Sequence, residues 1–438
     1  MASTLGKIYG TAPTHVATDN FAERLDRISQ SVTRYRNKDK LSGDKTRARR
    51  ALVIRGYKID EEYEALFNTL RDPCIGDNAA PNNNWNIESR WKLHLSPSFW
   101  LLMALRSPAV RKLHEDDPQI VFAVQEAIDA SPEYRILRDI ATKTISWQEY
   151  ESNMLRRAKV GLMLSRLVNG ADILCTTPSL SCKGLFLTWK VEKAKGIAVD
   201  EAGNISRPDL YSVWGNTLLP CLLSGDDKQF PPKVMMLNDK DGEGNFFNRL
   251  GQDGTMSALE FFKASGWPIY RLKAQLRMAN GLFDTCHREV YPDVPFIYGP
   301  GSDLANHLIG INLERYLAGR FPRLAAVRAG TLSEVFVHCQ GTRCIVDEVT
   351  MSKRNPGQVA CALEFLCDLV TMTHINAANI TIITPYSANV ELVNQLRTKS
   401  GFGVLSAMPP AATVDSFQGQ EAHIGKLTSR ALPHLANY

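Results

Sequence analysis

Residues 195–232 read KGIAVDEAGNISRPDLYSVWGNTLLPCLLSGDDKQFPP. An apolar run at 197–199 ends on two adjacent carboxylates, Asp200 and Glu201, and a second run at 218–223 ends on Ser-Gly-Asp-Asp-Lys-Gln. Short apolar runs bounded by polar turns are the pattern of buried strands, and in open α/β sheets chemistry collects where strands end at their carboxyl side. Either half alone fits an ordinary strand and turn. The tandem reads as the metal and phosphate side of a nucleotide site.

Working outward, the same strand-then-hydroxyl pattern recurs. Residues 7–25 predict a short strand, a Thr/Pro turn carrying Thr11 and Thr14, and a helix with apolar Val16, Phe21 and Leu25. Hydroxyls and free N–H groups where a helix begins suit a phosphate of a nucleic-acid backbone, and helix capping explains Thr14 equally well. Residues 171–181 repeat the arrangement with Thr176, Thr177 and Ser179. Between them, 34–55 is dense in Arg and Lys, read either as a phosphate contact or as a solvated linker. Residues 72–98 predict an irregular loop, and 98–168 a mainly helical stretch. The range 26–168 is thus an insertion of structural or regulatory character.

Downstream, 238–254 is rich in Asn, Asp and Gly and marks a loop or hinge. A helix begins at 257–262; at 273–278 Gln275 and Arg277 alternate with Leu276, as on one side of an extended segment. Strands are predicted at 332–339, 379–386 and from 412, and helices to 291, over 357–372 and through Val390 and Leu396. Alternating strands and helices in both halves imply α/β architecture with two parallel-sheet domains.

Composition limits the alternatives. A chain of 438 residues, 44% hydrophobic, holds two to four domain cores, and a net charge of +5 makes basic character matter only where it is concentrated. The nine cysteines include no Cys-x-x-Cys pair. Cys339 and Cys344 beside His338 are the nearest approach to a metal cluster and read better as buried small side chains. With no signal-like start and no apolar run of about 18 residues, the expectation is an intracellular protein, cytoplasmic or nuclear, without a membrane span.

Taken in order, GTAPTHVATDN (10–20), ADILCTTPS (171–179), AVDEAG (198–203), LSGDDKQFPP (223–232), LKAQLRM (272–278), ITPYSANVELV (383–393) and TVDSFQGQE (413–421) resemble the motifs of superfamily 1 helicases of the 5′-to-3′, RNA-surveillance type. The resemblance implies two RecA-like domains, 1–237 and 257–438, joined through 238–256. It implies an ATP-dependent motor on single-stranded RNA or DNA. Asp200 would hold Mg²⁺ and Glu201 would polarise the attacking water. Gln229 would sense the γ-phosphate, and Arg277 would act as an arginine finger. Gln275, Gln418 and Glu421 would lie by the nucleotide, and Thr11, Thr14, Thr176, Thr177 and Ser416 along the strand.

The chain departs from that family in several places. It has no Gly-x-x-x-x-Gly-Lys-Ser/Thr phosphate loop; Gly43-Asp-Lys-Thr lacks the first glycine and a preceding strand. The expectation is a chain cut before the first motif and after the last, with Arg430 a poor stand-in for a further arginine. Leu276 and Asn389 stand where the family has an aromatic and a Gln, which weakens nucleotide contact. The alternative reading is a non-hydrolysing remnant, or a gene-model fragment, that retains nucleic-acid or partner binding.

Overall fold

A computed structural model describes residues 2–81, 91–153, 155–348, 350–417, 420 and 422–427. The chain forms two compact units, 1–268 and 269–438.

The first unit is built on a five-stranded sheet: β1 (Ile8–Thr11), β2 (Val53–Arg55), β3 (Ile173–Thr176), β4 (Gly196–Val199) and β5 (Cys221–Leu223), in the order β2-β3-β1-β4-β5. Every pairing is parallel. Alternate residues serve opposite faces, as the two-residue period of a strand requires. Ile8, Val53, Ile173, Cys175 and Ala198 pack with Ala22, Phe21 and Leu25 of helix α1 (His15–Arg36). Tyr9, Ile54, Leu174, Ile197 and Val199 enter the larger core on the other side. Burial on both faces is why these strands read as unbroken apolar runs.

The larger core is completed by α2 (Ile59–Arg71), α3 (Pro97–Ala104), α4 (Gln119–Ala130), α5 (Arg157–Gly170) and α6 (Gly184–Lys193). Helix α3, PSFWLLMA, is apolar all round and almost wholly buried, so no single-stripe periodicity distinguishes it. The stretch 98–168 is mainly helical, in line with the sequence. The range 26–168 nevertheless does not leave the sheet: residue 26 lies within α1, and β2 is an edge strand of the same sheet. After β4, α7 (Arg207–Trp214) starts on Ser206, whose hydroxyl caps the Asp209 N–H.

The unit ends with a helix at Ala258–Ala264 closed by a reciprocal capping box between Ser257 and Glu260.

The second unit holds smaller sheets. β6 (Ala274–Gln275) pairs with β7 (Ile297–Tyr298) in parallel, and β8 (Ile345–Val346) with β9 (Lys353–Arg354) antiparallel. β10 (Ile380–Thr384) is the centre of a parallel trio, with β11 (Ala412–Thr413) and β12 (Ile424–Leu427) on either side. Helices Pro356–Thr373 and Ser387–Leu396 cover it through Val359, Leu363, Leu366 and Val393, packed with Ile380 and Ile382.

The strand predicted over 332–339 does not form. That stretch has no regular structure, and Phe336 is 86% exposed. Its alternating valines and aromatics have β-propensity but no adjacent strand to pair with, and propensity without pairing leaves a strand unformed. Among the described residues no helix is long and apolar enough to cross a membrane.

Candidate functional site at the strand ends of the first unit

Register places the sequence motifs together. Thr11 lies opposite Thr176 on one side and Val199 on the other, so β1, β3 and β4 end level. The Asp200 N–H donates to the Thr11 carbonyl at 2.9 Å, fixing the first carboxylate beside the first threonine. Glu201 follows with φ +53°, a left-handed conformation unusual for a side-chain-bearing residue, and this turns the chain sharply after Asp200.

The turns after β4 and β5 are stitched backbone to backbone. Ser224 N–H donates to the Val199 carbonyl and Ala202 N–H to the Ser224 carbonyl, each at 2.8 Å. Two glycines make the approach possible. A Cβ on Gly203 would stand 2.0 Å from the Asp226 carbonyl oxygen, and one on Gly225 would stand 2.5 Å from the Ala202 nitrogen. The tandem carboxylates and the Ser-Gly-Asp-Asp-Lys-Gln turn are therefore one rigid surface. Asp226 accepts from the Lys228 N–H at 2.9 Å and from Gln229 Nε2 at 3.1 Å, which ties the exposed Gln229 to that turn.

Asp200 is partly buried, and loss of hydration raises its carboxyl above the ordinary value; the Glu201 N–H and the Arg24 guanidinium pull the other way. Arg24 lies on α1 and no sequence signal singled it out. Among the described residues no group of three or more His, Cys, Asp and Glu is arranged to hold a metal. Asp200 thus offers one hard oxygen ligand. That fits a cation whose other ligands are waters and phosphate oxygens, the usual habit of Mg²⁺.

The threonines divide. Thr11 and Thr176 are fully buried: Thr11 Oγ1 donates to the Thr176 carbonyl at 2.8 Å, and Thr176 Oγ1 lies 2.5 Å from Tyr9 Oη and donates to the Thr177 carbonyl at 3.1 Å. Thr177 is buried beside Ser179. Thr14 alone of the four is exposed; its hydroxyl accepts the Ala17 N–H at 3.1 Å and caps α1. Next to it, Arg55 is a fully buried cation at the end of β2. It donates to Asp19 Oδ1 at 2.7 Å and to the Gly56 carbonyl at 2.5 Å, and stacks over Tyr57. Within a run of Arg and Lys, only the apolar LeuValIle before it signals that Arg55 points inward.

In the second unit, Gln275 Oε1 accepts the N–H groups of Arg277 and Met278 at 2.8 and 3.2 Å. The extended segment ends at Gln275, and Arg277 is exposed in the bend that follows, so the two do not alternate along a strand as expected. A polar cleft of about 580 Å³, lined by residues including Asp284, Asp303 and Arg328, does not include either side chain. Asn389 is buried; its Nδ2 donates to Thr384 Oγ1 and its Oδ1 accepts the Asn355 N–H, each at 3.1 Å, so it clamps the end of β10 to the helix after Asn355. Ser416 forms a local turn with Thr413, whose N–H donates to Ser416 Oγ at 2.9 Å. Gln418, Glu421 and Arg430 lie outside the described residues.

A family model described as an AAA domain matches residues 255–425. Domains of this family occur in superfamily 1 helicases, so the helicase-like resemblance of the motifs from LKAQLRM to TVDSFQGQE has independent support. The match covers the capping-box helix and most of the second unit. No curated protein matches the chain.

Proposed function

We propose that this chain is a helicase-type protein of superfamily 1, on the RNA-surveillance branch, built on two RecA-like domains that grip single-stranded RNA or DNA. The observation that carries the reading is the level ending of β1, β3 and β4, which bonds Thr11 to Asp200 and leaves exposed Thr14 three residues beyond it, with Glu201 and the turn bearing Gln229 following the same strand ends. The AAA-domain match over 255–425 supports it. In this reading Asp200 is the single protein ligand of Mg²⁺ on ATP, Glu201 orients the water, and Gln229 responds to the γ-phosphate. Arg277 supplies positive charge to the transition state, and Gln275, Gln418 and Glu421 serve the nucleotide.

One observation favours a second reading. These 438 residues contain no Gly-x-x-x-x-Gly-Lys-Ser/Thr loop, the usual source of fixed phosphate donors. The protein of this sequence is then a nucleic-acid binder that does not turn over ATP by itself. Measuring ATP hydrolysis with and without single-stranded RNA separates the two. Background rates support the binder, whereas stimulated turnover abolished by Glu201→Gln supports the complete motor. Under both readings single-strand affinity falls steeply with added salt; an affinity indifferent to salt overturns both.

A further inference from the structure

At the opposite end of the sheet lies a cleft of about 870 Å³, lined by the last turns of α1, the following loop, and residues 94–99 and 111–117. Seven Arg and Lys side chains line it against three carboxylates, Asp26, Asp116 and Asp117. Those carboxylates are saturated from within. Arg47 grips Asp116 through two bonds of 2.7 and 2.6 Å, and Arg111 grips Asp117 in the same two-pronged way at 2.7 and 2.6 Å. Arg50 lies between Asp26 and Asp117 at 3.4 and 3.1 Å and stacks over Trp100.

Two further acids nearby are also engaged: Asp44 accepts the Thr46 N–H and Glu115 the Gly43 N–H, each at 2.8 Å. What remains is surplus positive charge. Arg34, Lys38 and Lys112 are exposed and make no ion pair among the described residues. The floor is therefore rigid and internally neutralised, while the rim offers cations with no other use.

We propose that this cleft is a second nucleic-acid site, binding the phosphodiester backbone of a single strand through Arg34, Lys38 and Lys112. It goes beyond the strand-end surface, because the 22 residues of α1 separate Thr14 from this end by roughly 30 Å. The spacing suits a polyanion more than one small anion, since the free cations come from separate segments of chain around an open cleft.

The test is fluorescence anisotropy of a labelled single-stranded oligonucleotide at rising salt, with the full chain and the triple variant Arg34→Glu, Lys38→Glu, Lys112→Glu. The expected result is roughly 10-fold or greater loss of affinity and a salt slope shallower by about 2, with Lys399→Glu in the other unit unchanged. Equal affinity and slope for parent and triple variant overturn the proposal, as does displacement of the oligonucleotide by inorganic phosphate at matched phosphate concentration. Should the triple variant fail to fold, ultraviolet crosslinking of the parent chain decides: crosslinks in 34–40 and 111–114 support the cleft, and crosslinks confined elsewhere overturn it. Thr14→Asp, which acts only at the strand ends, keeps the failure of this site separate from the failure of the other.

Discussion

Gly203 and Gly225 decide whether the two catalytic-looking turns share one surface. Gly203→Ala drives a Cβ into the Asp226 carbonyl, and the neighbour is backbone, which cannot rotate away. A loss of about 2 kcal/mol or more in denaturant unfolding is expected, whereas Gly161→Ala, at an open helical position of ordinary φ, is expected to cost nothing or to stabilise slightly. Glu62 offers a second residue-level test. Its carboxyl is fully buried, accepts from Trp91 Nε1 at 3.1 Å and Ser98 Oγ at 2.7 Å, and is pushed up to about 7 by lost hydration. The folded chain holds this proton to higher pH than the unfolded chain. Stability from the group is therefore full below about pH 4.5 and is lost as pH rises through 7, by up to about 3 kcal/mol. Glu62→Gln is expected to flatten that part of the profile of unfolding free energy against pH; an unaltered profile contradicts it. Residue placement was only partly legible in the sequence. Asp200, Glu201 and Thr14 fall after strands as their apolar runs predict, whereas Glu62 and Asn389 look like surface residues because their burial depends on partners far along the chain.

Among the elements, β5 is the exposed edge of the five-stranded sheet. Helix α1 packs over β1, β2 and β3, so Leu222 on the same side of β5 is left 53% exposed, and Leu218 before it is 93% exposed. An uncovered edge with bare apolar side chains promotes self-association. Leu222→Lys is expected to lower light scattering at high protein concentration with little change in melting; undiminished scattering would place the sticky surface elsewhere. The strands of the first unit could be read from sequence because each is a short apolar run ending at a polar turn. The failure at 332–339 has the opposite cause: its residues favour a strand, but formation requires an adjacent backbone, which local sequence does not report. The bend after Gln275 was hidden for a similar reason, since Gln275 spends its side-chain oxygen on the turn rather than on a neighbour.

At the scale of the molecule, the α/β class with parallel sheets was legible from the alternation of runs, and the second half finds its family counterpart over 255–425. The place of 26–168 was less legible, because a segment that looks like an addition contributes both a strand and most of the larger core. We propose that the strand ends of the first unit hold a nucleic-acid backbone at Thr14. Thr14→Asp tests it most directly, because Asp retains the helix cap while placing negative charge where a phosphate would sit. Anisotropy with a labelled single-stranded RNA should show affinity weakened roughly 10-fold at unchanged melting temperature. Binding equal to that of the parent chain would contradict the assignment.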